Sequence, residues 1–344
     1  GCFESALSYA KQRRQFGKPL AEHQLVQERL TRMLSMLTSM QLYCSQLAAS
    51  EAGGHLRPTQ ASLAKYHNTR TARAIAAGPD TEEGDRIRWS GTSPYGFEGN
   101  DDLVEVDLTD PVIQDRIVEI MSRWLERGAD GWRLDAMYAA GAEAWAPILE
   151  RIRAAHPEAW ILGEVIHGDY PAFAAASGAD SITQYELWKA TWSSLVDVNF
   201  WELAHALERH PTDVLPNTFI GNHDVDRIAS TVGPEKVVLA AAVLLTVPGM
   251  PSIYYGDEQG FTGVRGEGWS ADDSVRPVLP AELSPLGAWI YDEYRELIAL
   301  RRRQAWLTHS HLEVLHKTNE TISCRCVSGE NSLQVDLWLD PAPG

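Results

Sequence analysis

Four apolar runs in this chain end in charge: GWRLD (131–135), ILGE (161–164), FIGNHD (219–224) and PSIYYGDE (251–258). Each reads as a short buried strand with polar groups at its C-terminal end. Asp135, Glu164 and Asp224 lie 29 and 60 positions apart, so they come from different strands. Carboxylates brought together from separate strands are equipment for acid–base and nucleophilic chemistry. A single acid after a strand reads as a helix cap or a solvated loop residue. Three of them, with Arg133 two positions before Asp135 and His223 beside Asp224, read as a site. Residues two apart on a strand share a face, so an Arg133–Asp135 ion pair is expected.

The elements between these runs are helical. DPVIQDRIVEIMSRWLERG (110–128) has Asp110 to cap it, Pro111 in its first turn, an apolar stripe at Val112, Ile117, Ile120 and Leu125, and Gly128 to stop it. Further helices are expected over about 142–155, 235–245 and 285–303. SITQYEL (181–187) is a weaker strand candidate. Strands alternating with helices predict parallel βα units, and in a βα barrel the C-terminal strand ends converge on one face. The last segments, 311–315, 321–327 and 332–339, read as strands.

Composition divides the chain. The formal charge of −17 disfavours nucleic acid or an anionic membrane surface as a partner. No run reaches the ~20 apolar residues of a membrane helix. Residues 1–78 hold ten Lys and Arg against four Asp and Glu, and the remainder holds 20 against 43. All twelve Trp lie at or beyond Trp89. The seam falls at GPDTEEGD (78–85), a linker-like stretch. Before it the chain reads as helical: ALSYAKQRRQF stopped by Gly17 and Pro19, a helix from about Glu22 to Ala52 with Leu25, Leu30, Met33, Leu34, Leu37, Met40 and Leu42 on its apolar face, and a third over about 58–77 carrying Leu63. The start is amphipathic and basic without a signal-peptide pattern, so the chain reads as opening partway into a helical segment. Four cysteines without metal or Cys-x-x-Cys spacing suit a reduced, cytoplasmic setting.

GADGWRLDA (128–136), ILGEV (161–165), FIGNHD (219–224) and PGMPSIYYGDE (248–258), in that order, resemble the signature segments of the α-amylase family of glycoside hydrolases. GEVIH, YYGDEQGF and DDSVRP lean toward its cyclomaltodextrinase and neopullulanase members. The resemblance runs over about 85–340. It implies a retaining hydrolase of α-glucosidic bonds in starch-like oligosaccharides, with Asp135 as nucleophile, Glu164 as general acid/base and Asp224 as a third carboxylate holding sugar hydroxyls. Arg133 would orient Asp135, and His223 would bond the sugar at the cleaved position. Trp132, Tyr138, Trp188 and Tyr255 are candidates for stacking on sugar faces or for core packing.

YAKQRRQFGKPLAEHQLVQERL (9–30) and ASLAKYHNTRTARAIA (61–76) resemble the C-terminal helical domain of acyl-CoA dehydrogenases, nearest the glutaryl-CoA type. There Arg13, Gln15 and Phe16 would correspond to residues that touch FAD. The catalytic carboxylate and flavin-binding front of that family have no counterpart here, so no cofactor is expected.

The amylase family's early Asp-x-x-x-Asn-His segment is missing; in the helical segment His67–Asn68 stands in reversed order. No calcium is therefore carried over. The expectation is an α/β chain: residues 1–78 a helical fragment, 79–308 a partial TIM-type barrel lacking its first strands, and 309–344 a truncated β-sandwich. Weak or no hydrolysis is expected from the partial barrel, with self-association through open sheet edges. Two other readings stand beside it: a flavin-dependent dehydrogenase remnant, and a catalytically dead, chimeric carbohydrate-binding protein.

Overall fold

The computed structural model describes residues 2–15, 17–52, 86–90, 93–98, 100–267, 271–282, 287–339 and 343. The expected third helix, the linker, Phe16 and the His67–Asn68 pair lie outside these residues. Two compact units are present, Gly1–Ile113 and Gln114–Gly344.

The first unit opens with a helix, Cys2–Gln12. It ends sooner than the sequence suggested, because Arg14–Gln15 (β1) and Lys18–Pro19 (β2) form a small antiparallel hairpin. Gly17 supplies the positive φ of +83° that its turn requires. The helix Gln24–Ala52 follows. Its half-buried side runs through Val26, Leu30, Met33, Leu37, Met40 and Leu47, a helical period. Leu34 and Leu42, placed by sequence on that face, are exposed. Later in the unit, Trp89–Ser90 (β3) pairs with Ser93–Pro94 (β4), and Gly96–Phe97 (β5) with Asn100–Val104 (β6). Sequence patterning did not reveal these ribbons, whose two- to five-residue strands are too short to show a period.

The helix Pro111–Glu126 leads into the second unit. Asp110 Oδ1 caps it, accepting from the backbone N–H of Val112 at 2.6 Å. Gly128 ends it at φ +101°. Five parallel strands follow: Gly131–Leu134 (β7), Trp160–Gly163 (β8), Ser181–Thr183 (β9), Leu215–Phe219 (β10) and Met250–Ser252 (β11). They form one sheet in chain order, each beside the next, as in a segment of βα barrel. Among the described residues β7 and β11 each pair on one side only.

Helices Ala142–Ala155, Tyr170–Ser177, Tyr185–Asp197, Trp201–Glu208 and Pro234–Thr246 alternate with these strands or follow them; Tyr170–Ser177 packs on β9 and Tyr185–Asp197 on β10. The main core runs through Leu187, Leu195, Phe200, Leu203, Val237 and Leu244, all buried. The strands His311–Lys317 (β12), Thr321–Ser328 (β13) and Asn331–Trp338 (β14) form an antiparallel sheet whose Ile322 and Leu337 join that core. Burial pushes the Cys324 thiol up to about 12 and raises that of Cys326, so neither is a ready nucleophile.

Candidate active site

Register sets the positions of the acids. Leu134 on β7 lies opposite Gly163 on β8, so the next step of the ladder brings Asp135 beside Glu164. Two glycines allow close packing along these strands. A Cβ on Gly131 would stand 2.0 Å from the Trp160 carbonyl oxygen. One on Gly163 would stand 2.5 Å from Met137 Sδ and 3.1 Å from Ile182 Cδ1. Gly163→Ala is therefore expected to lower unfolding free energy by about 1–3 kcal/mol through overpacking, read by denaturant titration. An unchanged midpoint would show that Met137 moves aside freely.

Arg133 joins the two carboxylates. Its Nη1 contacts Asp135 Oδ1, the ion pair expected from the spacing, and its Nη2 lies 2.7 Å from Glu164 Oε1. Burial works to lower the guanidinium's pKa. Asp135 and Glu164 outweigh it, so Arg133 lies above its ordinary range. The acids differ in access: the Asp135 side chain is 77% exposed and that of Glu164 only 8%. Ala136, between strand and helix, adopts a left-handed φ of 45°, unusual for a residue with a Cβ. In that conformation its N–H donates to Glu164 Oε2 at 2.7 Å.

Asp224 follows β10. Its Oδ1 lies 3.0 Å from Arg276 Nη2 and its Oδ2 3.2 Å from His223 Nε2. Arg276 also reaches Asp272 at 2.8 Å and donates from Nε to the His223 carbonyl at 2.8 Å. Asp224 is thus tied to the loop after β11. Asn222 turns back toward the other acids: its Nδ2 donates to the Tyr185 hydroxyl at 2.9 Å, and that hydroxyl donates to Glu164 Oε1 at 3.0 Å. Asn222 Oδ1 also accepts the Asp224 N–H at 2.9 Å. One chain of contacts therefore runs from Asp135 through Arg133, Glu164, Tyr185 and Asn222 to Asp224.

All five residues chosen from the sequence sit at these strand ends. Tyr185, Asn222 and Arg276 were not singled out. A positional signal existed for Tyr185, which stands two residues past β9 as the acids stand just past theirs. The four aromatic candidates have protein partners. Trp132 Nε1 donates to the Met121 carbonyl at 3.2 Å, Trp188 stacks on Phe219, Tyr138 packs near Val165, and the Tyr255 hydroxyl donates to the Pro277 carbonyl at 2.6 Å.

Beneath Asp224 lies a buried ion pair, Arg227 with Asp257, at 2.9 Å. Rings of Tyr254 and Tyr255 flank the guanidinium, with centroids 4.1 and 4.9 Å away. Gly221 crosses above, where a Cβ would meet Asp257 Oδ2 at 2.4 Å. Among the described residues no cluster of three or more His, Cys, Asp or Glu is placed to hold a metal ion. No helix is long and apolar enough to cross a membrane, among the same residues. Arg13 and Gln15 are exposed.

Residues 89–295 match the family model "Alpha amylase, catalytic domain", and residues 1–78 match "Acyl-CoA dehydrogenase, C-terminal domain". A cyclomaltodextrinase from Geobacillus thermopakistaniensis is 27% identical over 229 residues, covering 63% of this chain and 38% of that protein. Neopullulanase 2 from Thermoactinomyces vulgaris is 28% identical over 216 residues, covering 60% and 36%. The chain spans about two fifths of the length of the curated relatives it matches. Among solved structures, a debranching enzyme from Nostoc punctiforme superposes with a TM-score of 0.65 at 25% identity, covering 76% of this chain and 60% of that one. With the family model spanning more than half of its residues and its acids following parallel strands of one sheet, the chain belongs to the α-amylase family.

Proposed function

We propose that this chain carries a retaining glycosidase centre for α-glucosidic bonds of starch-like oligosaccharides. Asp135 is the nucleophile, Glu164 the general acid/base and Asp224 the third carboxylate that holds sugar hydroxyls at the transition state. Arg133 orients Asp135, and His223 bonds the sugar at the cleaved position. The observation that carries this reading is the guanidinium of Arg133 between the carboxylates of neighbouring strands. Retention needs two carboxyl groups ~5–5.5 Å apart, close enough for one to attack while the other protonates the leaving oxygen. The open Asp135 and the sheltered Glu164 suit those two tasks. Two relatives, a cyclomaltodextrinase and a neopullulanase, support the same substrate class.

Incubation with maltotriose and with β-cyclodextrin, followed by proton NMR, tests the proposal. The first product is expected as the α-anomer, at low turnover because β7 and β11 each pair on one side only among the described residues. Appearance of the β-anomer first would overturn retention, and no product from either sugar would overturn the function. No flavin role is proposed, since the catalytic carboxylate and flavin-binding front of the dehydrogenase family have no counterpart in this sequence. Titration with FAD is expected to leave its fluorescence unchanged, and quenching at micromolar protein would reverse that view.

A further inference from the structure

The hydrogen bonds around Glu164 distinguish its two oxygens. Oε1 receives Arg133 Nη2 at 2.7 Å and the Tyr185 hydroxyl at 3.0 Å. Among the described residues, Oε2 receives only the Ala136 N–H, at 2.7 Å. A carboxylate oxygen offers two lone pairs, so Oε1 is filled by donors while Oε2 keeps one position open. The direction of the Tyr185 hydroxyl is set as well, because Asn222 Nδ2 donates into its oxygen at 2.9 Å and leaves its hydrogen to point at Glu164. Burial, and then the charge of Glu164, raise the Tyr185 pKa, so the phenol keeps its proton and remains a donor toward Glu164. Its ring is fixed edge-on to Phe219 and Trp188, with centroids 4.9 and 5.8 Å away.

We propose that Tyr185, oriented by Asn222, is a positioning residue that holds Glu164 Oε1 as an acceptor and so makes Oε2 the oxygen that carries the acid proton. The inference rests on the glycosidase reading above. In the first half-reaction an Asp135 oxygen bonds the anomeric carbon as the glycosidic C–O bond breaks. The electron pair of that bond goes to the leaving oxygen, which takes the proton from Oε2. In the second, water attacks the anomeric carbon, gives its proton to Oε2, and the bond to Asp135 breaks. Without the Tyr185 hydroxyl, Oε1 is held only by a guanidinium shared with Asp135. The proton can then settle on Oε1, where it points away from the leaving group, and the molecules with the proton on Oε2 become the minority.

The test compares two substrates of the full chain. Maltotriose needs its leaving oxygen protonated, whereas α-maltosyl fluoride leaves as fluoride and needs much less help. Tyr185→Phe is expected to lower kcat on maltotriose about ten- to a hundredfold, part of what general acid catalysis supplies. KM should hold, and kcat on the fluoride should fall less than about threefold. Asn222→Ala, which leaves the phenol in place but unoriented, should give the same selectivity at smaller size. It also serves if Tyr185→Phe loses its folding transition. Equal losses on both substrates, or no loss on maltotriose, would overturn the inference while leaving the hydrolase standing. A wild-type chain inert on both substrates would remove the function and this inference with it.

Discussion

Asp135→Asn should abolish turnover of maltotriose, by on the order of 10⁴-fold, while the protein melts as the wild type does. The amide cannot form the covalent bond that the proposed mechanism needs, so no other group compensates. The fold should not notice, because the side chain is 77% exposed and its one ion pair is with a guanidinium that retains Glu164. Glu164→Gln should cost about 10²–10⁴-fold in turnover through the lost acid and base. It is the less clean variant. The carboxylate accepts from donors on both oxygens, and an amide must present its own NH₂ to one of them. Facing a donor with a donor costs about 1–3 kcal/mol at a buried site, so this variant is expected to melt earlier. Wild-type rates in either variant, measured beside a thermal melt, would sink the assignment.

The strand ends were legible in the sequence because burial on both faces writes an unbroken apolar run, and the first acid after such a run marks the edge of the sheet. ILGE fits that rule, GWRLD departs from it only at the exposed Arg133, and β7 and β8 stop one residue before Asp135 and Glu164. SITQYEL obscured it. Its apolar residues suggested a strand through Leu187, but β9 ends at Thr183 and a helix begins at Tyr185. The side chain that touches Glu164 therefore looked like a residue inside a strand. The helices Tyr170–Ser177, Trp201–Glu208 and Ile228–Val232 were also unread, since five to eight residues display at most two turns of periodicity. Tertiary relations lay further out of reach. Nothing in DDSVRP indicates that Arg276 returns to Asp224, 52 positions earlier. Nor does NHDVDR indicate that Arg227 will be sealed among Tyr254, Tyr255 and Asp257.

That sealed pair should make stability depend on pH with a sign opposite to that of an ordinary ion pair. Arg227 and Asp257 are both fully buried, and Asp257 Oδ2 has no hydrogen-bonding partner among the described residues. Burial pushes the Asp257 carboxyl up to about 7, against the pull of Arg227 and with a push from Glu258. In the unfolded chain the same group titrates near 4. The folded state therefore binds more protons than the unfolded state between about pH 4 and 7. The stability linked to this proton is complete below about pH 4 and is lost as pH rises through about 7. Each unit of separation is worth about 1.4 kcal/mol, so the wild type should lose a few kcal/mol relative to Asp257→Asn across that window. Were the attraction of Arg227 to win over burial, the difference would grow in the other direction. Urea titrations of both proteins at pH 4.5, 6 and 7.5 decide between the two signs. Arg227→Met should be harsher, by about 3–5 kcal/mol at pH 8, because it strands an ionised carboxylate beneath Gly221. At pH 5 a proton can neutralise Asp257, and the penalty should shrink. Gly221 rests on this carboxylate and leads into Asn222, His223 and Asp224, so the same variant should lose sugar turnover more steeply at pH 8 than at pH 5. A penalty equal at both pH values would mean that Arg227 matters only for its packing between the tyrosine rings.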